Sequence, residues 1–245
     1  MRFLLFFLIF FTASTFVFSG ANSKINTNWL SDWEKRELTD DGIASRCRQH
    51  KSELYECHFE LEAQISLKSL IAINTDVDGL KNWMANVMTS ENVDPSLSKT
   101  DYHVYNTYSF PGAVSRDSIT HSIVTQNPTT LAITLAFTTD SKIKAKPENL
   151  SKHFRFPFIK GAWVFTPLSN GNTKIGYTNI GIPGGYVQKF MKTLYNIGAY
   201  DASINTIRDM LIKAKESQYQ NAEVDYVKLP VSVETLKHNQ LTVVN

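Results

Sequence analysis

One apolar stripe runs through the last third of the chain. Its members recur every three or four residues, which is the spacing of one face of a helix. They are Phe190, Leu194, Ile197, Tyr200, Ile204, Ile207, Leu211 and Ala214. The stripe predicts a helix that begins after Pro183 and needs an extended apolar partner. A coiled-coil dimer seam would use the same spacing, but the flanking positions lack its regular charge pattern.

Residues 86–181 follow a different pattern, with runs of β-branched and aromatic residues that partly alternate with polar ones. Turn signals such as Asn127-Pro128 and Ser169-Asn170-Gly171 separate the runs. With an earlier hairpin, this region predicts about eight antiparallel strands, near the number at which a sheet curls or closes. The concave face of such a sheet is the available partner for the long helix, so the fold class is α+β.

Shorter elements precede this region. Trp29, Leu30 and Trp33 recur at helical spacing and predict an amphipathic helix over residues 28–38 that ends before Gly42. Ser66 is a suitable N-cap for a short helix that ends near Asp78-Gly79. A second brief helix is expected next to Trp83.

The two cysteines, Cys47 and Cys57, lie at equal distances from Ser52. A hairpin that turns around Ser52 would place them opposite each other, which favours a cross-strand disulfide in an oxidising compartment. Free thiols are the alternative. A zinc site with His50 and His58 is disfavoured, because Cys57 and His58 are adjacent and would point to opposite faces of a strand.

The first 21 residues have the layout of a secretory signal peptide. Arg2 precedes an apolar run, and small residues follow at Ser19, Gly20 and Ala21. The alternative is an uncleaved membrane anchor, for which the run is short. We therefore expect export, with the chain periplasmic or secreted.

Composition limits the classes of partner. The chain has 245 residues, 42% of them hydrophobic, and a formal net charge of +2, of which Arg2 supplies one. One globular domain with a substantial core is expected. A nearly neutral chain has neither the basic footprint of a nucleic-acid-binding protein nor a polybasic membrane patch.

Three motifs resemble those of the START lipid-transfer domain, a member of the helix-grip (SRPBCC) superfamily. Phe110-Pro111-Gly112 followed by Ser115-Arg116-Asp117 is similar to its Pro-Trp-Pro and Arg-Asp corner, without the tryptophan. The segment from 155 to 168 matches at Arg155, Gly161, Trp163 and Pro167. Pro183-Gly184-Gly185 resembles the opening of the last helix, with Ile182 in place of an acidic residue.

This resemblance covers about residues 29–214 and implies a strongly bent antiparallel sheet wrapped around the C-terminal helix. It implies residues 22–218 as an exported START-like domain of bacterial type, with a tail at 219–245. The implied ligand is a lipid or another hydrophobic small molecule, bound between sheet and helix. Candidate lining residues are Trp83, Tyr108, Phe154, Phe158, Trp163, Tyr177, Phe190, Leu194 and Ile197.

Arg116 has two possible roles. It can hold the corner together with Asp117 through charged hydrogen bonds to loop carbonyls. It can also reach the cavity and meet a polar ligand head group. The structural role is favoured, because a sharp corner needs fixing whether or not a ligand exists.

The superfamily also includes cyclases and hydrolases. A nucleophile elbow, histidines at metal-ligand spacing and a glycine-rich phosphate loop are absent from the sequence. His103 and His121 lie on neighbouring predicted strands and are expected to be ordinary strand histidines. We expect a monomeric, non-enzymatic protein without metal or cofactor, in transient contact with membranes at most. A partner-binding module with a filled core is the other alternative.

If residues 1–21 form a cleaved signal, N-terminal sequencing of the exported protein should begin at Asn22 or Gly20. A chain that retains Arg2 and fractionates with membranes would contradict this prediction and indicate an anchor.

Overall fold

The computed structural model describes residues 29–94, 98–110, 113–143, 152–183 and 189–228. The predicted signal segment and most of the predicted tail therefore lie outside the described residues, as do Pro111, Gly112, Gly184 and Gly185. No helix in these ranges is long and apolar enough to cross a membrane.

Within these ranges, ten strands form one sheet. Their order is β1-β2-β3-β10-β9-β7-β6-β5-β4, with every neighbouring pair antiparallel, and β8 adds to β6 in parallel. The strands are β1 (Glu34–Lys35), β2 (Ala44–Gln49), β3 (Tyr55–Ala63), β4 (Val87–Asn92), β5 (Asp101–Phe110), β6 (Ala113–Gln126), β7 (Ile133–Thr139), β8 (Phe154–Arg155), β9 (Phe158–Pro167) and β10 (Thr173–Ile182). The two strands beyond the expected eight are β1 and β8, whose two-residue length leaves no periodic signal in the sequence.

The helices are α1 (Leu67–Thr75), α2 (Lys189–Lys213) and α3 (Ser217–Gln220), with a 3₁₀ turn at Leu80–Asn82. Ser66 caps α1 as predicted, since its hydroxyl accepts a hydrogen bond from the Ser69 amide at 3.0 Å. Trp83 follows the 3₁₀ turn and is buried beside Trp163, with ring centroids 6.4 Å apart. The α+β prediction, with one long C-terminal helix on an antiparallel sheet, is confirmed.

The first hairpin has the predicted register. Cys47 pairs directly with Cys57 across β2 and β3, and the two sulfurs form a disulfide. Both cysteines are buried in the main core. The predicted disulfide is therefore present, and it joins the two strands that lie nearest the edge strand β1.

The predicted helix over residues 28–38 is wrong. Its described part, residues 29–38, contains no helix: Trp29 forms a β-bridge with His50, and Glu34–Lys35 pairs with β2. The guanidinium of Arg48 lies 3.7 Å from the ring centroid of Trp29 and 4.5 Å from that of Trp33. The unpaired backbone of β2 and these cation–π contacts outweigh a weak local preference for helix.

The α2 stripe is buried along only part of its length. Ile204, Ile207 and Ala214 lie in the core, whereas the side chain of Ile197 is 55% exposed. The stripe residues recur on average about every 3.4 residues, whereas a helix has about 3.6 residues per turn. Successive members of the stripe are therefore displaced around the helix axis and do not all lie on one face. The two ends of α2 therefore present different residues to the sheet.

The disulfide should resist alkylation until a reductant is added. Its loop is short, so replacing both cysteines with serine should lower the free energy of unfolding by about 2–3 kcal/mol without abolishing folding. Mass spectrometry after alkylation and denaturant unfolding measure the two effects. Labelling of both cysteines in denaturant without reductant would contradict the disulfide.

Candidate functional site

A cavity of about 180 Å³ lies between α2 and the sheet. Five consecutive neighbours in the sheet order, from β10 through β9, β7 and β6 to β5, contribute to its wall, and β3 closes one side. The helix contributes small and polar side chains from its middle, including Ala199, Ala202 and Ser203. Small side chains at these positions leave space that larger ones would fill.

Strand alternation decides which residues face the cavity. Every second residue of β5, from Tyr102 to Phe110, lines it, as do Thr120 and Ser122 on β6. The residues between them point to the other face of the sheet. The alternation extends to β10, where Tyr177 and Asn179 line the same space.

Polar groups in the wall next to α2 bond to one another. The amide nitrogen of Asn179 donates to the hydroxyls of Tyr177 and Ser203, each at 2.9 Å. The Ser203 hydroxyl in turn donates to the Ala199 carbonyl at 2.7 Å. This small network joins β10 to α2 and uses both amide hydrogens of Asn179 and the hydroxyl hydrogen of Ser203.

The cavity keeps its phenols neutral. Burial raises the pKa of the Tyr177 phenol to about 12, and burial also raises the pKa of Tyr108 and of Tyr195. Among the described lining residues there is no aspartate, glutamate, lysine, arginine or histidine. An ionised group placed there would lose hydration without gaining a counter-charge from the lining.

The residues predicted to line the cavity divide into four groups. Tyr108, Trp163 and Tyr177 line it; their contact with a ligand remains a prediction. Trp83 and Phe158 are buried nearby without reaching the space, whereas Phe154 and Ile197 are 47% and 55% exposed. The side chains of Phe190 and Leu194 lie outside what the structure describes.

Sequence reasoning missed the polar half of the wall. Asn106 and Asn179 both line the cavity two residues from a predicted lining tyrosine. Strand alternation from Tyr108 and Tyr177 would have identified them, because residues i and i±2 share a face. Both side chains are polar amides, so a pattern of large apolar residues does not identify them.

The Arg-Asp pair sits at the start of β6, where the two residues point to opposite faces. Asp117 is buried and accepts two hydrogen bonds from Arg155, at 2.7 and 2.9 Å, which fasten β8 beside β6. Arg116 donates to the Val114 carbonyl, and its charge lies 6.0 Å from the ring centroid of Phe110. Both contacts stabilise the corner, and Arg116 is not among the lining residues.

His103 and His121 occupy the face of the sheet opposite the cavity. Their rings stack with centroids 4.5 Å apart. Each bonds an aspartate, His103 to Asp140 at 3.1 Å and His121 to Asp101 at 2.6 Å. Neither histidine lines the cavity, and the described residues contain no group of three or more His, Cys, Asp or Glu suited to a metal ion.

An open groove of about 1050 Å³ lies outside the cavity, between α2 and the first hairpin. Charged residues such as Arg36, Lys192 and Arg208 line part of it, and Ile197 lies on its wall. Four residues line both the groove and the cavity: Tyr55, Cys57, Asn196 and Tyr200. These four residues, here called the shared wall, border both spaces, which therefore adjoin.

No protein-family model matches the sequence, and comparison with curated proteins finds no match. Solved structures do match. A STAR-related lipid transfer protein fragment from Xanthomonas axonopodis is 19% identical, with a TM-score of 0.64, over 75% of this chain and 99% of that one.

Two human structures match with similar TM-scores. StAR-related lipid transfer protein 5 is 14% identical (TM-score 0.63, 75% of this chain and 86% of that one). STARD10 is 13% identical (TM-score 0.62, 77% and 76%). The chain therefore has the START, or helix-grip, fold that its motifs predicted.

The buried phenols predict weaker stability at alkaline pH. Unfolding returns the Tyr177 pKa from about 12 to the ordinary value of 10. Above pH 10 the unfolded chain therefore binds fewer protons than the folded one, and the free energy of unfolding falls as pH rises towards 12. Tyr177→Phe should make this fall shallower, by up to about 1.4 kcal/mol per pH unit.

Denaturant unfolding at a series of pH values measures the two slopes. Tyr177→Phe also loses the bond from Asn179, but that loss shifts the whole curve rather than its slope. Equal slopes in the wild type and the variant would contradict a raised pKa for Tyr177.

Proposed function

We propose that the protein binds an uncharged hydrophobic small molecule, most simply a lipid, in the cavity between α2 and the sheet. The observation that carries this proposal is the cavity itself, a space between helix and sheet whose described lining is largely aromatic and aliphatic and has no charged side chain. Binding needs only apolar burial, worth about 2.5 kcal/mol per 100 Å² removed from water before the costs of association.

The size of the cavity limits what it holds in this conformation. An engineered protein cavity of about 150 Å³ takes up benzene, so a space of about 180 Å³ suits a small aromatic or short alkyl molecule. A longer lipid needs more room. The groove behind Tyr55, Cys57, Asn196 and Tyr200 supplies it if this shared wall opens.

Hydrogen bonds join the α2 residues of the shared wall to the first hairpin, in addition to the ring contact of Tyr200 with Phe59 (centroids 5.4 Å apart). Asn196 bonds the Glu53 carbonyl at 2.9 Å and accepts from the Tyr55 amide at 3.3 Å. The hydroxyls of Ser45 and Tyr200 bond at 2.7 Å. Water can replace such bonds at modest cost, so we propose that this half of α2 moves to admit ligand while its buried C-terminal half stays in place.

Two further features support the proposal. Two of the similar solved structures, the Xanthomonas fragment and the human protein 5, are named as lipid transfer proteins, which favours a lipid as ligand. The disulfide of Cys47 and Cys57 fits an oxidising compartment and, with the apolar first 21 residues, supports export to the periplasm or medium.

The alternative functions have less support. A cyclase-type enzyme needs a polar catalytic cluster inside the cavity, whereas His103 and His121 lie on the opposite face of the sheet. A partner-binding module with a filled core would have no internal space of this size. We therefore propose binding, and transfer or carriage of the ligand, without catalysis.

Two tryptophan substitutions on α2 test the cavity. Ala199→Trp places an indole in the cavity, so it should keep the fold and reduce bound hydrophobic ligand strongly. Ile197→Trp places the same indole on the groove side, where the native side chain is already 55% exposed, and is the matched control. Mass spectrometry of solvent extracts from the purified proteins measures ligand content, and thermal melting measures stability.

A packed core gives a different result. Ala199→Trp would then cost about 1–3 kcal/mol or more in the free energy of unfolding. That outcome, together with a wild-type protein whose extract contains no hydrophobic molecule, would contradict ligand binding and favour the partner-binding module.

A further inference from the structure

A row of three directly paired polar residues, here called the polar rung, crosses three strands on the cavity face of the sheet, where apolar groups otherwise predominate. Ser90 on β4 pairs with Asn106 on β5, which pairs with Ser118 on β6. All three are buried, with exposed fractions of 6%, 5% and 0%. Directly paired residues on neighbouring strands share a face, so the rung presents its polar atoms on the cavity side of the sheet.

Only some of the polar atoms of this rung have hydrogen-bond partners. The Ser118 hydroxyl bonds the Tyr108 hydroxyl at 3.0 Å, and the Asn106 amide nitrogen donates to the same phenol at 3.3 Å. The Asn106 Oδ1 and Ser90 Oγ atoms are buried without a hydrogen-bond partner among the described residues. Of these two residues, Asn106 lines the cavity.

Among the asparagine oxygens of the described lining, Asn106 Oδ1 is the one that is buried without a hydrogen-bond partner. Asn196, by contrast, uses both ends of its amide, donating to the Glu53 carbonyl and accepting from the Tyr55 amide. A buried polar atom without a partner costs about 1–3 kcal/mol, so such an atom is expected to meet a ligand.

We propose that Asn106 and the rung around it bind a hydroxyl group at one end of the ligand. This inference rests on the proposed function and names the ligand class, a neutral hydrophobic alcohol or phenol. A hydroxyl suits the site because it can donate to the amide oxygen and also accept from a neighbouring hydroxyl. A hydroxyl also needs no counter-charge, and the described lining residues include no charged side chain.

A carboxylate is the competing head group. Arg116 pairs with Tyr108, two residues along β5 from Asn106, and its Nε is buried without a partner among the described residues. However, Arg116 does not line the cavity, and its guanidinium is engaged with the Val114 carbonyl and the Phe110 ring. A carboxylate at the rung would instead face the Asn106 oxygen, which repels it.

Three probes of similar shape separate these possibilities: naphthalene, 2-naphthol and 2-naphthoate. Titration of the purified wild-type protein at neutral pH should show that 2-naphthol binds roughly 3- to 10-fold more tightly than naphthalene, the effect of one hydrogen bond. We expect 2-naphthoate to bind more weakly than both.

Asn106→Leu tests the residue itself, because leucine has a similar shape and no polar atom. The variant should lose the preference for 2-naphthol and bind naphthalene at least as tightly as the wild type. Thr107→Val is the matched control: it removes a buried hydroxyl from the next position of β5, on the opposite face, where Thr107 bonds Thr89 at 2.6 Å. Its 2-naphthol preference should equal that of the wild type.

The outcomes separate the two proposals. Equal affinity of the wild type for naphthalene and 2-naphthol would overturn the hydroxyl site and leave hydrophobic binding intact. This comparison uses only the wild-type protein, so it does not depend on whether a variant folds. Tighter binding of 2-naphthoate would overturn it in favour of Arg116. Failure of the wild type to bind naphthalene and 2-naphthol alike would count against the cavity as a binding site, and hence against both.

Discussion

The C-terminal half of α2 is packed into the core, and the cavity depends on this contact. Ile207, Met210 and Ala214 are fully buried beneath the sheet and α1. Burial of this extent fixes one end of the helix firmly. The other half lines the cavity with alanine, serine and asparagine beside Tyr195 and Tyr200, so small side chains leave part of the space open.

The two halves of α2 therefore differ in how they can move. Separating the C-terminal half from the core would expose several apolar side chains at once. The N-terminal half is joined to the first hairpin by hydrogen bonds of Asn196 and Tyr200, which water can replace. The disulfide keeps β2 and β3 together, so a movement of the helix would leave the hairpin itself unchanged.

Polar atoms in the cavity wall differ in whether they have hydrogen-bond partners. Near α2, Asn179 donates both amide hydrogens, to Tyr177 and Ser203, and so holds the helix to β10. On β5 the amide of Asn106 is only partly satisfied, in a wall where burial keeps the phenols neutral. Because polar groups inside proteins are normally paired, this asymmetry indicates which end of the cavity meets a polar ligand group.

Much of the fold could be predicted from local patterns, for physical reasons. The long helix, the Ser66 cap, the main strands and the register of the first hairpin depend on side-chain periodicity and turn residues, which are local properties. The pairing of Cys47 with Cys57 followed from the hairpin geometry, and the START-like motifs identified the corner and the last helix. These features together predicted Tyr108, Trp163 and Tyr177 as residues near the cavity.

Only the tertiary structure decided the rest. Residues 29–38 became extended because β2 offers an unpaired backbone edge and Arg48 offers a cation to two tryptophans, neither of which local spacing reveals. Ile197 lies outside because its direction depends on how α2 is rotated against the sheet. The role of Asn106 depends on the hydrogen-bond partners that neighbouring strands bring to it. The sequence determines which faces are apolar, but the assembled sheet determines which polar atoms on those faces remain without a partner.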